Sequence, residues 1–280
     1  MTSPIGFLER PDRVNWSTLK SIGVSPKHYR HLLANPREDT DALRLGRVTH
    51  CLVFEPSKFA ERYIVSPRFN RAMNDDTAIV KGYDGGKQAA AQFAATSAGL
   101  EVVQPDIFAS ARGMCEAILA DPVAAPFVTN GYAEHRIEWA DALTGIECCG
   151  RVDHVNGCLA DLKTTRSLVT CERDAARLGY HAQLAWYADG LAAAGIRTEA
   201  PPCLVFVESV APFDVLVLTL ADEDIALGRG VYRSALERLA HCRASNEWPG
   251  MSGGIIRRIQ LPAWAWPIEE EITLDGEPIA

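Results

Sequence analysis

The sequence predicts an α/β (α+β) protein built on a central mixed β-sheet flanked by helices, with a helical N-terminal part. Three observations lead to this. Most of the first 120 residues carry helical patterns interrupted by very short strand-like runs. Residues 132–163 alternate across two turn signals, Thr144-Gly145 and Asn156-Gly157, as a β-meander does. A helical stretch at 171–194 then separates that meander from two apolar runs, 204–207 and 215–218.

Taken in order, residues 14–35 read as two short helices. Asn15 or Ser17 caps the first, and Ser25-Pro26 opens the second, where the missing proline N–H costs little. Residues 39–54 are the best helix of this half. Asp39, Thr40 or Asp41 caps it, and Leu43, Gly46, Arg47, His50, Val53 and Phe54 recur on one face. Glu55-Pro56 ends it. A helical turn over 57–63 and a short strand at 63–65 follow. Residues 66–86 carry loop chemistry, and so long a connection is usually functional or mobile. Next come an alanine-rich helix at 87–99, a strand at 101–103 and a helix at 105–120. The sheet starts near Tyr132, one long helix spans 171–194, and a last helix covers 221–243. The organisation expected is one domain over 1–268, with 1–65 as its helical N-terminal part and 130–220 as the sheet and helix bearing the site. An acidic tail at 269–280 has the composition of a disordered segment.

The 280 residues are 48% hydrophobic and 23% charged, as in ordinary globular proteins. No apolar run approaches the roughly 20 residues of a membrane span, and the N-terminus lacks a signal-peptide pattern, so a cytoplasmic location is expected. None of the eight cysteines forms a Cys-x-x-Cys pair, so buried free thiols are expected and an iron–sulfur cluster is not. The net charge of −8 argues against a protein that coats nucleic acid non-specifically. The charge is uneven: residues 1–72 hold 12 Lys+Arg against 7 Asp+Glu, and the remainder 16 against 29. A basic N-terminal part still suits local contact with DNA.

The chemistry centres on residues 150–163. Asn156-Gly157 between two apolar runs is a strong hairpin signal, since both residues tolerate positive φ. Alternation puts Asp161 and Lys163 on one face and Leu162 on the other, and a suitable register brings Asp153 opposite them. Two carboxylates and an ammonium suit a divalent metal held beside a phosphodiester. Mg²⁺ takes oxygen ligands, so Asp153, Asp161 and the Leu162 carbonyl are candidate ligands, with Lys163 orienting or helping to deprotonate a water. His50 lies one turn after Gly46, whose missing side chain allows close approach of its helix, and is a further candidate ligand. Tyr180, Gln183 and Tyr187 form one helical stripe, with Gln183 suited to bond Lys163 or a phosphate and Tyr187 to line a DNA groove. Glu134 and Glu138 share a strand face, and either is placed to approach the metal. Candidate DNA-contacting cations are Arg44, Arg47, Arg68, Arg71, Lys81 and Lys87.

Gly46-Arg47-Val48-Thr49-His50, Gly150-Arg151-Val152-Asp153, Asp161-Leu162-Lys163 and Gln183-Leu184-Ala185-Trp186-Tyr187 occur in that order. This resembles the RecB-like branch of the PD-(D/E)XK nuclease superfamily, and most of all the phage and prophage exonuclease VIII (RecE-type) nuclease domain. Ser25-Pro26-Lys27-His28-Tyr29, Glu55-Pro56 and Trp248-Pro249-Gly250 extend the likeness over residues 16–266. The resemblance implies a restriction-endonuclease-like core and a Mg²⁺-dependent exonuclease, with Mn²⁺ able to substitute and two metal ions expected. It would act on double-stranded DNA ends, 5′ to 3′, leaving a 3′ single strand for phage-type homologous recombination. His50, Asp153 and Asp161 would be metal ligands, Lys163 the catalytic lysine, and Gln183 and Tyr187 its supporting pair, with Glu134 beside them. Partners implied are duplex DNA ends, copies of the chain in a ring (trimer or tetramer), and a single-strand annealing protein. Two other readings stay open: a nuclease of this fold acting on single strands or branched structures, and a catalytically idle DNA-binding or anti-defence module.

Overall fold

A computed structural model describes residues 13–35, 38–256, 258–262 and 265, with the backbone of 273–274 and 277–278. The helical N-terminal part begins with α1 (Trp16–Leu19), where Asn15 Oδ1 accepts the Thr18 N–H at 3.0 Å. In α2 (Pro26–Ala34), Ser25 Oγ accepts the His28 N–H at 3.2 Å and Pro26 occupies the first turn. Thr40 caps α3 (Asp41–Phe54) through the Leu43 N–H. These polar caps satisfy N–H groups that the helices themselves leave open.

A helical turn, α4 (Phe59–Arg62), leads into β1 (Tyr63–Val65). The segment expected as loop contains α5 (Asp75–Val80). Asp75 Oδ1 accepts the Gly86 N–H at 2.8 Å and the Ala89 N–H at 3.2 Å, tying this helix to the start of α6 (Lys87–Thr96). The order there comes from contacts more than ten residues apart, which local loop chemistry does not reveal. β2 (Glu101–Val103) pairs in parallel with β1, and α7 (Pro105–Ala120) and α8 (Ala125–Val128) follow.

The central sheet consists of β3 (Tyr132–Ala140), β4 (Glu147–Val155), β5 (Leu159–Thr165), β6 (Cys203–Glu208) and β7 (Val215–Thr219), side by side in that order. All neighbours are antiparallel except β5 and β6, which are parallel. Parallel neighbours need a crossover, and α9 (Cys171–Leu178) and α10 (Tyr180–Ala193) supply it. The single helix expected over 171–194 is thus two. Gly179 adopts φ 73°, a left-handed conformation that ends α9. The last helix is α11 (Asp222–Ser245). A short antiparallel pair, β8 (Thr273–Leu274) and β9 (Glu277–Pro278), is described in backbone only; the rest of the acidic tail expected at 269–280 lies outside the described residues.

Two cores sandwich the sheet. Leu159, Leu204 and Phe206 pack with α10 and α11 on one face, and Ala160, Leu162, Val205 and Val207 pack toward α3 and α7 on the other. This is the period-2 alternation of strands buried on both sides. Trp186 is fully buried between sheet and α11, and its indole N–H donates to the Cys149 carbonyl at 3.1 Å. All eight cysteines are free thiols, seven of them buried. No described helix is long and apolar enough to cross a membrane.

Candidate metal centre

The site forms where β4 and β5 part. Their ladder holds only His154–Ala160 and Val155–Leu159. The next pair in that register, Asp153 and Asp161, is not bonded through the backbone. Instead Asp153 Oδ2 accepts the Leu162 N–H at 2.8 Å, so a side chain replaces the missing ladder bond. The turn holding this register spans three residues, 156–158, and only Gly157 has positive φ, at 62°. The two-residue turn expected from Asn156-Gly157 gives way because Gly157 and Asn156 have distant partners. The Gly157 carbonyl accepts the Glu199 and Ala200 N–H groups, and Asn156 Nδ2 donates to the Thr129 carbonyl.

On the other side of β4, the β3 register continues through Ala133–His154 and His135–Val152 but skips Glu134. Glu134 has φ 51°, a left-handed conformation that costs a non-glycine residue on the order of 1–3 kcal/mol. Its carboxylate comes to the same point as Asp153. His50, from α3, presents Nδ1 at 3.6 Å from Asp153 Oδ2 and 3.7 Å from Glu134 Oε1. One ligand atom from each of the three lies within 4.8 Å of the others. The His50 Nε2–H donates to the Leu162 carbonyl at 3.1 Å, so that carbonyl borders the same cluster.

Asp161 is 1% exposed and is ion-paired through Oδ2 with Lys163, while its buried Oδ1 has no hydrogen-bond partner. An orphaned carboxylate oxygen next to a His/Glu/Asp cluster fits a hard divalent cation, because burial without a partner is otherwise costly. Burial raises the carboxyl groups of Asp153 and Asp161 above their ordinary range, against the pull of Lys163 and His50. Burial alone would lower His50, but Asp153 and Glu134 outweigh it and raise it to about 9. Lys163 follows the same logic: burial opposes its charge, Asp161 and Asp153 sustain it, and its pKa rises.

The supporting side chains come from α10. Lys163 Nζ donates to Gln183 Oε1 at 3.1 Å and lies 4.6 Å from the centre of the Tyr180 ring. Gln183 Nε2 donates to the Tyr187 hydroxyl at 3.1 Å. The Tyr187 ring lies against Gly150, where an added Cβ would stand 3.0 Å from two ring carbons. Gly150 is therefore the glycine that the site requires. At Gly46 a Cβ would meet only Thr164 Oγ1 at 3.7 Å, an ordinary contact, so close approach of α3 does not depend on it. The cluster opens into a cleft of about 770 Å³ bordered by α1, α3, β3 and β4.

Not every expected residue converges here. Glu138 points away, paired with Arg13 and Arg136. The left-handed backbone at Glu134 separates two glutamates that simple alternation puts together. Arg44 and Arg47 are not free cations: both pair with Asp39 and Glu101, and Arg44 also with Asp41. Arg68 engages Asp84 through its backbone N–H and pairs with it through Nε at 4.0 Å. Arg71, Lys81 and Lys87 are exposed and in no ion pair among the described residues. Of these six cations only Arg47 lines the cleft.

Two residues at the site carried no role in the sequence reading. Glu55, which in sequence ends α3 and belongs to the Glu55-Pro56 phrase of the likeness, is a nearly buried carboxylate bonded by Arg62 at 2.6 Å and by Lys58. Arg151 bridges Glu55, at 3.1 Å, and Glu134. The available signal was its position two residues before Asp153, on the same strand.

A family model described as a PDDEXK-like domain of unknown function (DUF3799) matches residues 15–257. The fold is similar to the crystal structure of a protein from Eubacterium rectale described as a "putative exonuclease", with a TM-score of 0.59 and 13% identity over 94% of this chain and 96% of that one. At that identity the likeness shows the fold alone. No curated protein matches the sequence.

Proposed function

Because the chain belongs to the PDDEXK-like DUF3799 family, we propose that it is a Mg²⁺-dependent exonuclease that degrades double-stranded DNA ends. The proposed polarity is 5′ to 3′, leaving a 3′ single strand for phage-type homologous recombination, as in the RecE-type nucleases it resembles. One observation carries the reading: His50, Glu134 and Asp153 form a compact ligand cluster beside the buried pair Asp161 and Lys163.

His50, Glu134, Asp153 and Asp161 would hold the metal, with the Leu162 carbonyl at its edge. When bound, a divalent cation polarises the phosphoryl oxygen and lowers the pKa of a bound water. A single Mg²⁺ typically takes one or two protein carboxylates, so three carboxylates favour the two-ion arrangement. Lys163 holds a proton between Asp161 and Gln183 and offers an ammonium to the charge that develops on the phosphate. Gln183, itself fixed by Tyr187, sets the direction of that ammonium. The proposal includes a ring-shaped trimer or tetramer and a single-strand annealing partner, by likeness to the same group.

Linear duplexes labelled at the 5′ or the 3′ end, a labelled single strand and a covalently closed circular duplex test this with Mg²⁺, Mn²⁺ or chelator present. Release of 5′ label first, an intact circle and no activity with chelator are expected. Cutting of the circle, or degradation of single strands alone, would select a structure-specific or single-strand nuclease instead.

A further inference from the structure

Glu134 is held in place by a chain of charges that reaches back to the helix carrying His50. Its two carboxylate oxygens face different partners. Oε1 faces His50 Nδ1 at 3.7 Å, inside the ligand cluster, and Oε2 is in contact with Arg151 Nε, outside it. The other end of the same guanidinium, through Nη2, bonds Glu55 Oε2 at 3.1 Å. Glu55 is the residue at the C-terminal end of α3, its side chain is 11% exposed, and Arg62 and Lys58 bond it from the following turn. Arg151 is thus a planar fork between two carboxylates, one on β3 and one at the end of α3.

We propose that Arg151 and Glu55 are positioning residues that clamp Glu134 in its left-handed backbone conformation, leaving one oxygen of Glu134 for a divalent cation and occupying the other. This rests on the metal-centre reading above. Glu134 at φ 51° has no backbone pairing with β4, so the ladder does not hold it. Arg151 supplies that restraint from the neighbouring strand. Glu55 orients Arg151 and fixes the clamp to the helix that delivers His50, so two ligands from separate elements are set by one ion-pair chain.

The direction of the effect separates this role from simple electrostatics. Removing a positive charge near a cation site should tighten metal binding on Coulombic grounds alone. A clamp predicts the reverse, since residues that orient metal ligands typically change affinity about 10- to 100-fold. The test is Mn²⁺ affinity of the full chain, measured by calorimetry and by the electron paramagnetic resonance signal of free Mn²⁺, with the Tm of each metal-free variant. Arg151→Gln is expected to weaken Mn²⁺ binding about 10-fold or more, and Arg151→Lys to recover only part of the loss. Glu55→Gln should weaken it less, and the double variant Glu55→Gln/Arg151→Gln no more than Arg151→Gln alone, because both act through one contact. Arg112→Gln, a charge change on α7 where Arg112 pairs with Glu116, should stay within about twofold of the parent.

Unchanged or tighter Mn²⁺ binding in Arg151→Gln overturns the clamp, and so does additive loss in the double variant. If Arg151→Gln fails to fold, parent-like Mn²⁺ affinity in both Arg151→Lys and Glu55→Gln overturns it equally. A failure of the underlying site reading looks different: the parent chain would bind no Mn²⁺, or Asp153→Ala would bind it as the parent does.

Discussion

Replacing Gly150 with alanine tests how the strand floor supports the site. The new Cβ would stand 3.0 Å from Tyr187 Cδ1 and Cε1 and 3.3 Å from Ile137 Cγ1. Carbon–carbon contacts are best near ~3.5–4.0 Å, so the ring must shift by a few tenths of an ångström or more. Overpacking of this kind costs about 1–3 kcal/mol. In a chain of this size that lowers Tm by roughly 2–4 °C for each kcal/mol. The functional consequence travels through two hydrogen bonds. Tyr187 fixes Gln183, and Gln183 fixes Lys163. A hydrogen bond to a charged group contributes about 1.5–3 kcal/mol, so losing this orientation in the transition state slows the reaction about 10- to 100-fold. Calorimetric Tm and kcat on linear duplex DNA at saturating Mg²⁺ measure both effects. Tyr187→Phe is the companion: it removes the hydroxyl without the clash, so kcat should fall while Tm moves much less. A Gly150→Ala protein with parental Tm and kcat would refute the reasoning.

Away from the site, burial pushes Asp189 up, but hydrogen bonds from Arg229 at 2.8 and 2.7 Å and from Tyr232 outweigh it, and its pKa is lowered. A lowered carboxyl pKa stabilises the fold above the unfolded value of about 4 and loses that contribution as pH falls through the folded value. Asp189→Asn should therefore cost about 1–2 kcal/mol at pH 7, after allowance for the partly exposed Arg229, and the gap should close toward pH 3 in urea unfolding. Arg47→Ala should lower Tm, because Asp39 and Glu101 lose a partner. Arg71→Glu and Lys81→Glu should leave Tm unchanged and, if these side chains meet phosphates, each reduce the slope of log Kd against log salt by about 0.9. Parental salt slopes in both would remove them from the DNA surface.

The parts of the fold that were legible in sequence are those set by local pattern. Alternation and the Asn156-Gly157 signal located the β4–β5 hairpin, and four short motifs in order assembled His50, Asp153, Asp161, Lys163, Gln183 and Tyr187. What escaped the sequence depends on distant partners. Gly179 divides a helix whose apolar pattern runs through it, because ending α9 there turns the chain into α10. The helix at 75–80 depends on Asp75 reaching Gly86 and Ala89. The ion pairs of Arg44 and Arg47 are hidden in the same way, because one of their partners, Glu101, lies more than fifty residues on. Glu134 and Glu138 seemed equivalent because periodicity assumes an extended backbone, and Glu134 is not extended. Glu55 and Arg151 resemble ordinary surface charges in sequence, and only the packing of α3 on β4 shows that they meet.

On the proposed function, Asp161 and Lys163, beside the His50–Glu134–Asp153 cluster, take part in metal-dependent cleavage of DNA. The most direct measurement is the rate of nucleotide release from linear duplex DNA in Mg²⁺ by the parent chain, Asp161→Ala and Lys163→Ala, each with a Tm showing that it is folded. The parent should digest the DNA, and each variant should lose activity by roughly 1,000-fold or more, the scale of catalysis expected from a metal ligand and its neighbouring cation. Parental rates in both folded variants would contradict the assignment.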